Sequence, residues 1–199
     1  MERKWLLIAF GDLSGFGSWT SRASNAPEIK EPFLKDFYST MGYFVKTREN
    51  MTLKYMGDGF MIVQEFPTAR EREQDSYEFL KDLACITKRI RLNIKKCADL
   101  ELKGFRLRIN AGYAYKIMVV DPNDPKRERL IPEYVEYSIN TCQKLLGVNP
   151  EISCLATDFF VKALGKKRSF VRMRKLEKPS SYPKGVNSED TEGLWEIKF

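Results

Sequence analysis

The chain of 199 residues contains no histidine. Histidine is the side chain whose ordinary titration falls nearest neutral pH, so its absence excludes histidine triads, histidine general bases and zinc–histidine sites. Cysteine is scarce: Cys85, Cys97, Cys142 and Cys154 are scattered, without the CxxC spacing of a metal site or the density of a disulfide framework. That usage fits a reducing, cytoplasmic setting. No apolar run approaches the ~20 residues that span a bilayer. The run Leu6-Leu7-Ile8-Ala9-Phe10 meets Asp12 too early for a signal peptide, and no small-residue cleavage site follows it. Internal repeats, low-complexity tracts and linkers are also missing, so residues 1–199 read as one domain with no membrane anchor. Any chemistry must run on carboxylates, metal, Lys/Arg, Ser/Thr, Tyr or Cys.

Hydrophobic residues make up 43% of the chain and charged residues 31%, which places it among globular rather than disordered proteins. The net charge is +7. Much of the excess lies in Lys166-Lys167-Arg168, Arg172, Arg174, Lys175 and Lys178. A solvated basic face accounts for this. Nucleic-acid binding is the weaker reading, because no nucleic-acid motif accompanies the charge.

Hydrophobic periodicity gives the expected order βαββαβαβαββ. Residues 5–12 read as a buried strand entering a Gly/Ser turn. Phe33, Leu34, Phe37, Met41, Phe44 and Val45 recur at helical spacing up to Asn50. Strands at 51–56 and 60–66 form a hairpin about Gly57-Asp58-Gly59, where glycine supplies positive φ. A long amphipathic helix covers 71–97. Residues 105–119 alternate as a strand with a bulge or bend at Gly112. After a loop at 121–125 come a helix over 134–146, a strand at 152–155, a helix at 158–164, and strands near 168–176 and 193–199. The expectation is an α/β (α+β) fold with a mixed, mainly antiparallel sheet flanked by helices.

Two segments stand out: residues 10–16, FGDLSGF, and residues 54–60, KYMGDGF. Each sets an aspartate among glycines beside strand-like residues. Either aspartate alone is a common turn residue. If the hairpin pairs beside the first strand, both carboxylates meet at one sheet edge. Two carboxylates and phosphate oxygens make an all-oxygen site suited to Mg²⁺ or Mn²⁺. Backbone N–H groups in the turn after Asp12 can cradle phosphate.

These segments resemble the two metal-aspartate segments of class III adenylate/guanylate cyclases. The likeness extends in order through most of the chain: FRLRINAGYAY at 105–115, EYVEYSINTCQKL at 133–145 and YPKGV at 182–186. It implies a single cyclase domain with a ferredoxin-like βαββαβ core, working as a homodimer on a nucleoside triphosphate. By that resemblance Asp12, Asp58 and the Leu13 carbonyl bind two Mn²⁺ or Mg²⁺ ions. The backbone of Ser14, Gly15, Phe16, Gly17 and Ser18 holds phosphate, and Lys184 contacts the triphosphate. Asn140 orients the ribose, and Lys144 stands where the family has its transition-state arginine. Lys54 and Glu133 stand at the base-reading positions. The chain departs from the family at Lys144, at Asn110 (usually histidine), at Tyr113 (a phosphate-binding arginine in some members) and around Tyr134–Tyr137.

Lysine with an acidic partner resembles the adenine-reading pair and disfavours GTP. Lysine can equally donate to a pyrimidine carbonyl, and Tyr55, Tyr134 or Tyr137 could narrow the pocket to one ring. A bare, divergent catalytic domain is similar to the pyrimidine cyclases of bacterial antiphage (Pycsar) systems. These make cyclic UMP or CMP for a separate effector, so UTP or CTP is preferred here over ATP. The competing readings are an adenylate cyclase, a degenerate nucleotide-binding module, and nucleic-acid binding through 166–178.

Overall fold

The apolar run after residue 4 becomes the central strand, β1 (Glu2–Ser14), of a computed structural model. The structure describes residues 2–21, 27–46, 48, 50–66, 72–96, 102, 104–177, 182–184, 186, 189 and 191–199, and of residues 19, 20, 27–30 and 137 only the backbone. Successive residues of a strand point to opposite faces, and both faces of β1 are covered. Leu7, Ala9 and Leu13 join a cluster with α2 (Pro27–Lys46), α3 (Arg72–Lys96) and α5 (Asp158–Ala163). Leu6, Ile8 and Phe10 join a second cluster with Ile139 and Cys142 of α4 (Tyr137–Lys144). Two-sided burial is why β1 reads as a continuous apolar run.

The remaining strands are β2 (Met51–Met56), β3 (Gly59–Glu65), β4 (Gly104–Val120), β5 (Leu130–Val135), β6 (Cys154–Thr157), β7 (Met173–Lys175) and β8 (Leu194–Ile197). They form one sheet in the order β2-β3-β1-β4-β6-β8-β7, with β5 also paired to β4. Among the described strands only β4 and β6 run parallel. The sheet is therefore mixed and mainly antiparallel, and its first half has the βαββαβ order expected from the sequence. A short helix, α1 (Phe16–Ser21), follows β1. In α3 the buried Phe79, Leu83, Ile86 and Ile90 recur at helical spacing.

Three expectations need correction. The helix expected over 134–146 begins only at Tyr137, and residues 130–135 form β5. Residues 165–170 are a 3₁₀ turn before the short β7, not part of a strand. Gly112 is not a bulge, since the β1–β4 register runs unbroken through Leu6–Gly112. Glycine is needed there because a Cβ would lie 2.9 Å from Ser138 Cβ, so α4 could not sit down on β4. Asn110 completes that junction. Its amide donates to the Ser138 carbonyl at 2.9 Å, and its Oδ1 accepts from the Thr157 hydroxyl at 2.6 Å. It thus ties β4 to α4 and β6.

Arg108, also on β4, is fully buried. All its donors go to backbone carbonyls. Nε bonds Leu145 at 2.7 Å, Nη1 bonds Leu107 and Ile152 at 2.9 Å each, and Nη2 bonds Val148 at 3.0 Å and Asn149 at 3.2 Å. Burial pulls its guanidinium down to about 10, still charged at neutral pH. One side chain therefore clamps the turn that follows α4. Arg108→Met keeps bulk but orphans those carbonyls, and a buried polar group left without its partner costs ~1–3 kcal/mol. A loss of about 3 kcal/mol or more is expected in urea unfolding. An unchanged midpoint would show that the clamp is not structural.

Candidate active site

Antiparallel pairing of β1 with β3 sets Asp12 opposite Gly59. The β2–β3 turn, Gly57-Asp58, folds back so that the Leu13 N–H donates to the Asp58 carbonyl at 3.3 Å. The turn requires glycine at position 57, where φ is +64°. A Cβ at Gly59 would lie 2.7 Å from the Gly11 carbonyl oxygen, so β3 can approach β1 this closely only because position 59 carries no side chain. The two aspartates thus share one corner of the sheet.

Burial pushes the Asp12 carboxyl above its ordinary range, Arg106 opposes this, and the charge of Asp58 adds to it. Arg106 lies directly across from Asp12 in the β1–β4 register. Its Nη2 donates to Asp12 Oδ2, and its Nη1 to the Leu146 carbonyl at 3.3 Å.

The donor set tests whether a divalent metal fits. Two neighbouring carboxylates and the Leu13 carbonyl are hard oxygen donors, the kind Mg²⁺ and Mn²⁺ prefer. Among the described residues no cluster of three or more His, Cys, Asp or Glu side chains could enclose an ion. The corner therefore suits an ion whose coordination is completed by ligands from outside the chain, such as water. Arg106 holds one Asp12 oxygen, as a cation would.

Ser14 ends β1, Gly15 turns at φ +88°, and α1 begins at Phe16. The Gly/Ser turn expected over these residues is thus shorter: Ser14 is the last residue of β1, Gly15 makes the turn, and Phe16, Gly17 and Ser18 form the start of α1, all close in sequence to Asp12. Asn140 and Lys144 lie one turn apart on the exposed side of α4, while Ile139 and Cys142 face the core. Neither bonds to Asp12 or Asp58 of its own chain among the described residues. Lys54 of β2 and Glu133 of β5 meet, with Nζ to Oε1 at 2.5 Å. Tyr134 turns inward, its hydroxyl donating to Glu65 Oε1 at 2.6 Å. Tyr55 packs on Tyr38 with ring centroids 4.8 Å apart and donates to the Tyr38 carbonyl at 2.9 Å. The Tyr137 side chain lies outside the described residues. Lys184 is exposed in the loop after β7. A cavity of about 680 Å³ lies toward the other ends of β1 and β4, beside Arg3, Trp5 and Tyr113, and does not include the aspartates.

Sequence reasoning missed Arg106 and Arg108. Their signal was the period-two series Arg106, Arg108, Asn110, polar residues on the strand face that also carries Asp12. In the basic segment, Arg174 pairs with Glu196 at 3.0 Å and Lys175 lies over the Trp195 ring, so part of that charge is used within the fold. Cys97 lies outside the described residues. No helix among the described residues is long and apolar enough to cross a membrane.

The Asp12 shift has a sign that can be measured. A carboxyl raised by folding stabilises the protein at low pH, and that contribution is lost as pH rises through its folded value. Asp12→Asn keeps an acceptor for Arg106 and removes the penalised charge. Its melting temperature is expected to match or exceed that of the parent at pH 7, the gap closing on acidification. A lower melting temperature at pH 7 would contradict this.

No protein-family model matches the sequence, and no curated protein matches it. Solved structures match its fold. A guanylyl cyclase, Cya2, superposes with a TM-score of 0.67 at 18% identity, over 98% of this chain and 92% of that one. The adenylyl cyclase CyaB from P. aeruginosa gives 0.67 at 14%, over 100% and 95%. The guanylate cyclase domain of RhGC from Catenaria anguillulae, in complex with GTP, gives 0.65 at 14%, over 100% and 98%. The chain has the fold of class III cyclase catalytic domains.

Proposed function

We propose that this chain is a nucleotide cyclase that converts a nucleoside triphosphate to its 3′,5′-cyclic monophosphate and pyrophosphate. The observation that carries the reading is the meeting of Asp12 and Asp58 at one sheet corner beside the Ser14–Ser18 segment, in a fold shared with cyclases. In the reaction the ribose 3′-oxygen attacks the α-phosphorus, the bond to the β-phosphate oxygen breaks, and the hydroxyl proton passes to solvent. Two divalent ions, Mg²⁺ or Mn²⁺, supply the charge that acidifies the hydroxyl and offsets the leaving pyrophosphate. Asp12, Asp58 and the Leu13 carbonyl would hold them.

Backbone amides of Ser14–Ser18 orient the phosphates, and Lys184 adds charge to them. Asn140 and Lys144 face away from their own sheet, which supports a homodimer in which a second copy presents them to Asp12 and Asp58. There Asn140 orients the ribose, and Lys144 steadies charge at phosphorus as a point cation without arginine's fork. Lys54 and Glu133 offer one donor and one acceptor to a base edge. The two side chains are in direct contact, and by resemblance to the pyrimidine cyclases of antiphage systems UTP or CTP is the proposed substrate and ATP the alternative. Tyr55 and Tyr134 are committed to packing and do not narrow the pocket. By resemblance to stand-alone pyrimidine cyclases, the product serves as a second messenger in antiphage defence, read by a separate effector.

Incubation with Mn²⁺ and each of the four triphosphates, followed by mass spectrometry, tests this. A cyclic pyrimidine nucleotide and pyrophosphate in equal amounts are expected. Asp58→Ala should lower turnover by ~100-fold or more. Lys54→Ala should raise KM more than it lowers kcat, because base contacts bind ground and transition states alike. No cyclic product from any triphosphate would contradict the reading. Tight nucleotide binding without turnover, indifferent to Asp58→Ala, would favour a degenerate binding module, a reading that Lys144 in place of arginine keeps open.

A further inference from the structure

Toward the end of β1 that lies away from the aspartates, the sheet has a gap. On the edge of β4 opposite β1, β6 pairs with Leu107–Ile109 and β5 with Tyr115–Val120, so residues 110–114 face neither strand. Ser138 at the head of α4 fills part of the gap, its hydroxyl donating to the Tyr113 carbonyl at 2.6 Å. The cavity of about 680 Å³ opens beside it. Trp5, on its wall, stands roughly 23 Å from Asp12 along β1, at ~3.3 Å per residue. Two guanidinium groups are seated on aromatic rings here: Arg72 lies 4.6 Å from the centre of the Trp5 ring, and Arg3 lies 4.4 Å from that of Tyr113. Phe159 adds a further ring to the wall. The charged groups are balanced: Arg3, Arg72 and Lys162 line the cavity together with Glu73, Glu136 and Glu189. Lys162 is held by Asp158 and Glu192. Among the described residues neither arginine is ion-paired with the three cavity carboxylates. Two buried atoms have no hydrogen-bond partner among the described residues: Arg72 Nε, a donor, and Glu136 Oε2, an acceptor. Native folds leave few such atoms. One of each kind on a single cavity is the pattern of a ligand that accepts at one end and donates at the other.

We propose that this cavity binds a mononucleotide, at a site separate from the aspartate corner. The assignment rests on the residues of the cavity and does not require the cyclase reading. A guanidinium seated on a ring keeps its N–H edge free, and that edge takes phosphate oxygens in charge-assisted hydrogen bonds. Trp5 and Phe159 offer apolar surface to a planar base. The orphan oxygen of Glu136 accepts a base N–H. The three carboxylates argue against a bare anion, which they would repel. Asn110 and Ser138, also in the lining, are already committed to seating α4 on β4 and supply no free donor. The volume falls within the ~300–1,000 Å³ of small-molecule sites.

Calorimetry on the full chain in EDTA tests the site without turnover, with the 5′-monophosphates and 3′,5′-cyclic monophosphates of the four common bases as probes. At least one of them is expected to bind and to quench the fluorescence of Trp5. Glu136→Gln and Arg72→Gln should each weaken that binding ~10-fold or more, since each removes one end of the recognition. Lys54→Ala, which alters the base-reading pair, should leave it within ~2-fold. Trp5→Phe should abolish the quench and keep calorimetric binding within ~3-fold, because a ring remains. Inorganic phosphate and the free nucleosides should bind at least ~10-fold more weakly than the mononucleotide. Binding lost in Lys54→Ala and kept in Glu136→Gln would overturn the proposal, because the nucleotide would then sit at the base-reading pair. Equal binding of inorganic phosphate, equal binding of the nucleosides, or no binding of any mononucleotide would overturn it as well. Should Glu136→Gln or Arg72→Gln fail to fold, Lys54→Ala and Trp5→Phe still decide. Mononucleotide binding with this pattern supports the site even if no triphosphate is turned over, an outcome that would overturn only the cyclase reading.

Discussion

The pairing of β1 on both edges is the constraint on which the rest depends. β4 flanks β1 along its whole length and β3 flanks it from Leu6 to Asp12, and helices cover both its faces. A slip of one residue would turn every apolar side chain to the wrong cluster, so the register is fixed by the entire core. That register sets Asp12 opposite Gly59 on one side and Arg106 on the other. The placement of the aspartates is thus inherited from hydrophobic burial rather than from contacts made by the carboxylates.

The face of the sheet that carries Asp12 is unusually polar for a packed interior. Arg106, Arg108 and Asn110 follow one another along β4, and each reaches the segment formed by α4 and its following turn. Leu146, Leu145 and Ser138 accept these bonds in turn. The helix that displays Asn140 and Lys144 is therefore positioned by the strand adjacent to Asp12. Within one chain, β4 thus relates the aspartate corner to the exposed face of α4. Arg108 is the most committed member, because a buried guanidinium must have its donors satisfied.

Much of this was legible in the sequence because glycine punctuates it. Gly57 and Gly59 bracket Asp58, and Gly11 and Gly15 bracket Asp12, so both turns announced themselves, as did the long α3 through its periodic apolar residues. The missed β5 had a physical reason. Leu130–Val135 contains Pro132, tolerated because this is an edge strand, and it pairs with the overhanging end of β4, where burial imposes little alternation. Gly112 resembled a bulge because the reason for it, Ser138, lies on another element. Arg106 could not be tied to Asp12 from local pattern, since they stand 94 residues apart and meet only through the β1–β4 register.

The central claim is that Asp12 and Asp58 form half of a site whose other half, Asn140 and Lys144, comes from a second copy. Mixing two inactive variants tests it most directly. Asp58→Ala lacks the first half and Asn140→Ala the second, so their heterodimer contains one intact site. Random pairing of equal amounts in a two-fold dimer should restore about a quarter of the parent turnover. Restored activity that rises with the heterodimer fraction is the predicted result. A mixture as inactive as either variant alone, with heterodimers present, would contradict the account.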